Sequence, residues 1–232
     1  VEVSVERAFG RACETCTTAF FRWAPATKGV RAIAGWPEAR FPLRVAFDRE
    51  WSGETISARD STRFWQAVES LEEAFGEDLF RPAAYADAVP REDGANEDVI
   101  LVWIDPELRD FTGYGSAVSS AGDVTYGDLR LRRGALRDEV SAGLVMHELL
   151  HTLGFGHTCA WRSVLADARR CPYLRAEEPT PEDVAYVQLA ARVREMERAA
   201  RGRVGMQAAL AGEHFLRAGA VEAGAPLADS PR

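Results

Sequence analysis

Residues 147–157 read HELLHTLGFGH and hold three of the chain's four histidines. On an α-helix, His147 and His151 lie on one face about a turn apart, so both imidazoles can reach a single ion. Gly154 follows, and a residue without a Cβ takes the left-handed conformation that turns a chain sharply at a helix end. That turn can bring His157 round as a third ligand. Three protein ligands leave a fourth tetrahedral position for water, which is the arrangement of a catalytic zinc rather than of a closed structural one. Glu148 points about 100° away from His147 around the helix, too poorly aimed to ligate but able to reach that water as a general base. The expected metal ligands are therefore His147, His151 and His157, with Glu148 as the proton carrier. His214, the remaining histidine, falls in the tail and is incidental.

A ligand pair on a helix needs a packed support. Ala142, Val145, Met146, Leu149 and Leu153 form an apolar helical stripe on the other side of this segment, which predicts a helix from Asp138 to Leu153 anchored in the core. Asp138 and Glu139 suit its first turn, where the helix dipole favours acids. Upstream, FPLRVAF within Arg40–Asp48 alternates as a strand entered through Pro37 and Pro42. Phe64, Val68, Leu71 and Phe75 mark a helix from Ser61 to Phe75, ended by Gly76. Asp98–Asp105 is a short apolar run closed by Pro106 and reads as a buried central strand. The glycine-rich stretch Phe111–Arg133 is expected to hold a loop and two strands, Tyr114–Ser119 and Val124–Leu131, one of them at an edge. Thr180 as N-cap and Pro181 at the first helical position introduce a last helix from Glu182 to Arg198. Three segments are expected: an N-terminal extension over 1–39, a catalytic domain over 40–200, and a mobile Ala/Gly/Arg-rich tail over 201–232.

The 232 residues suffice for one sizeable core and one active site. No apolar run approaches the roughly 20 residues that a bilayer span needs. The net charge is −8, and no Lys/Arg stripe is free of interleaved acids. Attraction to a phosphate backbone therefore has no evident source, and nucleic acid is not an expected partner. The sequence starts at Val1 without a basic segment followed by an apolar one. With an even count of four cysteines, the expectation is an exported chain, secreted or periplasmic, that has lost a leader and acts as a monomer.

The pattern His147-Glu148-x-x-His151-x-x-Gly154-x-x-His157 resembles the extended zinc signature of the metzincin metallopeptidases. Thr158, directly after the third histidine, is most similar to the matrixin branch, and TPEDVAYVQL from Thr180 to Leu189 is similar to that branch's closing helix. The order of elements from Arg40 to Arg198 follows the same branch. The resemblance implies an α+β fold of the α/β-like zincin kind. Its twisted, mostly parallel sheet would have an antiparallel edge strand, a long helix in the N-terminal half, an active-site helix under the cleft and a small C-terminal helical subdomain. It also implies a zinc-dependent endopeptidase acting on a protein or peptide substrate. That substrate would lie extended along an edge strand, here Gly115, Ser116, Ala117, Val118 and Ser119.

The chain departs from the family at one position. Leu165 stands eight residues after His157, where matrixins carry a methionine in a tight turn below the zinc. Leucine is close to methionine in volume, and such swaps commonly cost under ~1.5 kcal/mol, so an apolar floor is expected to persist. Met196 and Met206 lie too far along to serve, and Asp167 stands where some metzincins place a tyrosine ligand, leaving Tyr173 as a weak substitute. Cys159 and Cys171 bracket the presumed turn. A disulfide between them would add ~3 kcal/mol in the chain-entropy model, with two buried thiols as the alternative. Cys13 and Cys16 form a C-x-x-C pair for which a local disulfide or pairing elsewhere is expected. Asp123 and Asp128 with their glycines raise calcium as an option, but no twelve-residue calcium loop is present, and solvated turn acids are the preferred reading. Against the endopeptidase stand a zinc-containing protein-binding module without turnover, to which Leu165 points, and a hydrolase confined to one partner protein. Glu148 argues for catalysis, since a pure binding module has no use for that carboxylate.

Overall fold

The computed structural model describes residues 35–48, 56–84, 99–108, 112–120, 123–137, 141–157, 162–166, 171–172 and 174–184, with scattered helical positions from 187 to 202. Five strands and two α-helices are built from them: β1 (Leu43–Phe47), α1 (Ala58–Phe75), β2 (Phe80–Pro82), β3 (Val99–Asp105), β4 (Gly113–Ser120), β5 (Asp123–Arg132) and α2 (Ser141–Thr152). A 3-10 turn at Glu38–Arg40 precedes β1. The strands form one sheet in the order β2-β1-β3-β5-β4. β2, β1, β3 and β5 run parallel, and only β4 is antiparallel, at the edge beside β5. The fold is therefore α+β, with a mostly parallel sheet and an antiparallel edge strand.

The apolar run VILVWID becomes the central strand because it is covered on both faces. Successive side chains point to opposite sides of a sheet. Ile100, Val102 and Ile104 accordingly join the main core, which also contains Leu129 and Leu131 of β5, Phe64, Val68 and Leu71 of α1, and Val145, Met146 and Leu149 of α2. Val99 and Leu101 face the other way, into a smaller cluster with Ala46, Trp103 and Tyr126. Both helices thus pack on one face of the sheet.

Helix α1 starts earlier than its apolar periodicity alone indicates. Ser57 caps it, its side chain accepting from the Asp60 N–H at 3.1 Å, so the polar first turn before Ser61 is already helical. Gly76 ends it at φ 70° as expected. The short strand β2 was not anticipated, and three residues carry too little pattern to declare themselves. Glu72 fixes this strand by accepting from the Leu79 and Phe80 N–H groups at 2.7 Å each. The sheet reaches back to Gly35, which bridges Asp123. Trp36, 1% exposed, donates from Nε1 to the Thr152 carbonyl at 2.8 Å and so holds the C-terminal end of α2. Residues Val1–Arg194 form one compact unit and Glu195–Arg232 a second, of which only helical positions 198, 199 and 202 are described.

Candidate metal centre

Helix α2 is apolar almost all round. Leu144, Val145, Met146, Leu149, Leu150 and Leu153 are all buried in the core, so its two histidines sit on a support that has little freedom to move. Residues 138–140, the expected start of this helix, lie outside the described residues. At the other end Gly154 adopts φ 102°, a conformation that favours glycine. The Gly154 and Phe155 N–H groups donate to His151 O at 3.0 Å and Leu150 O at 3.2 Å, and the chain turns back so that His157 meets the helix.

The three rings converge through one kind of atom. The Nε2 atoms of His147, His151 and His157 form a triangle with sides of 3.1, 3.2 and 3.2 Å. Tetrahedral zinc with Zn–N of about 2.0–2.1 Å needs N···N separations of roughly 3.3 Å, so this triangle fits such an ion with little adjustment. The tautomers agree. His147 Nδ1 lies 2.7 Å from Val164 O and His151 Nδ1 lies 2.7 Å from Phe155 O. A carbonyl can only accept, so both Nδ1 atoms carry the proton and both Nε2 atoms present lone pairs inward. Two inward lone pairs 3.1 Å apart repel each other unless a cation lies between them. Burial drives the His147 pKa well below the usual histidine value, and His151 and Arg175 push it the same way against the bond to Val164. The neutral form that a metal requires is thus the stable one at neutral pH. Among the described residues this is the one cluster of His, Cys, Asp and Glu able to hold a metal ion.

Glu148 is 4% exposed and its Oε2 accepts from the backbone N–H of Gly115 at 2.5 Å. The catalytic candidate on α2 is thereby joined to the edge strand β4. Glycine is required there, because a Cβ on Gly115 would lie 2.1 Å from Glu148 O. Gly115, Ser116, Ala117, Val118 and Ser119 all fall in β4, which has a register shift between Val118 and Ser119.

Ser163, Val164 and Leu165, the turn at which the resemblance placed an apolar floor, meet the site through His147. Val164 and Leu165 are fully buried, and Val164 is the residue whose carbonyl orients His147. Their position is set by the buried carboxylate of Asp183, which accepts from Ser163 Oγ at 2.5 Å, Val164 N at 3.1 Å, and Thr180 N and Oγ1 at 3.0 Å each. In return Thr180 Oγ1 accepts from Asp183 N at 3.3 Å. This reciprocal pair is a capping box at the start of the last helix, and the Thr-x-x-Asp spacing was its visible signal. Arg175 was also missed, having no spacing to announce it. Burial lowers its pKa while the Glu148 carboxylate opposes that shift, and its neighbour Ala176 donates from N to Ser163 O at 3.0 Å.

Asp128 needs no cation to explain it, since it accepts from Trp103 Nε1 at 2.7 Å and Arg130 Nε at 2.6 Å. Asp123 pairs with Ser120 across the β4–β5 turn. Cys171 is disulfide-bonded, whereas Cys13, Cys16 and Cys159 lie outside the described residues, as do Thr158, Asp167, Tyr173, Met196, Met206 and His214. Among the described residues no helix is long and apolar enough to cross a membrane.

No family model and no curated protein matches the chain. Among solved structures it is similar to the archaemetzincin of Methanopyrus kandleri, at 14% identity and a TM-score of 0.40, over 67% of this chain and 98% of that one.

Proposed function

We propose that this chain is a zinc-dependent endopeptidase of the metzincin kind, in which His147, His151 and His157 hold the metal and Glu148 moves the proton. The observation that carries this reading is the triangle of Nε2 atoms lying beside a buried carboxylate that is bonded to an edge strand. Zinc held there would supply Lewis acidity to the scissile carbonyl and to the attacking water.

The chain's own residues do the rest. With Oε2 fixed by the Gly115 N–H, Glu148 takes the proton of the attacking water at Oε1 and delivers it to the leaving amine nitrogen. His147 and His151 keep their aim because Val164 O and Phe155 O hold their Nδ1 protons. The open edge of β4 offers backbone groups to an extended peptide laid antiparallel to it. The Gly115 N–H is already committed to Glu148, and because the N–H groups of a strand alternate between its two edges, Ala117 provides the next donor on that side. Leu165 forms the apolar floor in the place of the matrixin methionine.

The test is cleavage of unfolded casein by wild-type protein, by Glu148→Ala and by chelator-treated samples. Wild type is expected to cleave and Glu148→Ala to lose about 10²–10⁴-fold in rate while keeping its zinc. Chelated wild type should recover on adding zinc. Equal cleavage by Glu148→Ala excludes the mechanism, and bound zinc without any cleavage by wild type favours the binding-module reading.

A further inference from the structure

The contact between Glu148 and the edge strand is closer than catalysis by a freely extended carboxylate needs. A Cβ built on Gly113 would lie 2.9 Å from Glu148 Cγ, 3.0 Å from its Oε1 and 3.2 Å from its Cδ. Two residues on, Gly115 binds Oε2 through its N–H at 2.5 Å. Residues i and i+2 of a strand present the same face, so Gly113 and Gly115 form one shallow cradle against which the whole carboxylate lies. The side chains flanking this cradle, Tyr114 and Ser116, point to the opposite face of β4. A carboxylate carried on three rotatable bonds would otherwise sample several rotamers. Here one glycine leaves room for the side chain and the other fixes one of its oxygens.

We infer that Gly113 is a positioning residue: the absence of its side chain, together with the Gly115 N–H, sets the aim of the Glu148 carboxylate. The same strand that pairs with substrate then also fixes the proton-transfer group. Both sides of the reaction share one reference frame. A methyl group at 113 meets the far half of the Glu148 side chain rather than backbone, so the side chain has to swing away from the cradle while the histidines remain in place.

This inference rests on the proposed peptidase activity, and its test separates the two. Gly113→Ala is expected to lower kcat at least tenfold, with KM, zinc stoichiometry and zinc affinity within about twofold of wild type. The coupling is read in a double-mutant cycle on Tm with Glu148→Ala, which removes Cγ, Cδ and Oε1, the atoms that the new methyl group would meet. Gly113→Ala is expected to lower Tm in the wild-type background and to leave it within about 1 °C in the Glu148→Ala background. Equal losses of Tm in both backgrounds, or a Gly113→Ala enzyme with wild-type kcat, overturn the inference while leaving the proposed function intact if Glu148→Ala remains inactive. Should Gly113→Ala prove too unstable to assay, the collision is read from Tm alone. Gly113→Ala/Glu148→Ala should then melt higher than Gly113→Ala alone, and an equal or lower Tm overturns the inference. Gly127→Ala serves as the control for a clash elsewhere on the sheet, its Cβ lying 2.8 Å from Ile100 Cγ1. It should lower Tm without the selective loss in kcat.

Discussion

His147 shows how one residue's surroundings decide its charge. Burial, then His151, then Arg175 hold its folded-state pKa well below the ordinary value, while in the unfolded chain it titrates near 6.5. Below about pH 6.5 the unfolded chain therefore binds a proton that the folded chain refuses, so stability falls as pH drops through that window and is unaffected above it. Chelator-treated protein is expected to lose Tm between pH 7 and pH 5, and His147→Gln should flatten that dependence. An identical slope in the variant would remove His147 as its source. Protons also compete with the metal for the same Nε2, so zinc affinity should fall over the same range.

At the scale of elements, the site depends on how a loop, a strand and two helix ends are locked together. Asp183 fastens the loop at Ser163–Leu165 to the start of the last helix, and Val164 O in turn orients His147. Asp183→Ala would strand the buried N–H of Val164 and the half-buried N–H of Thr180, at a cost on the order of 3 kcal/mol. Because the ring of a ligand loses its brace, zinc affinity should also fall roughly tenfold or more, measurable by competition with a chromogenic chelator. Leu149→Ala, a cavity in the same core, should cost about 2–5 kcal/mol with a smaller effect on zinc. If both variants weaken zinc equally, Asp183 acts through general stability alone.

Across the whole molecule the metal would act as a clasp. Its ligands come from α2 and from the chain beyond Gly154, and their braces come from Val164 and Phe155. A ligand that binds only the folded state adds about 4 kcal/mol at a thousandfold excess over its Kd, which for a chain of this length corresponds to a rise in Tm on the order of 10 °C. Differential scanning calorimetry with and without zinc measures it. A Tm indifferent to zinc would mean that the three rings do not share an ion.

Much of this was legible in the sequence because it depends on short-range periodicity. The spacing of His147 and His151, the glycine turn at 154 and the buried run of β3 follow from helix and strand repeats, and the structure carries all three. The Thr180 cap was equally readable, since a capping box is local. The approach of Gly113 and Gly115 to Glu148, the carboxylate of Asp183 beneath Val164 and the proximity of Arg175 to the site join residues far apart in sequence. No repeat encodes such meetings. They arise from the order β2-β1-β3-β5-β4 and from the packing of α2 against β4, so packing alone determined what holds the histidines and the glutamate in place, whereas the sequence already determined which residues they are.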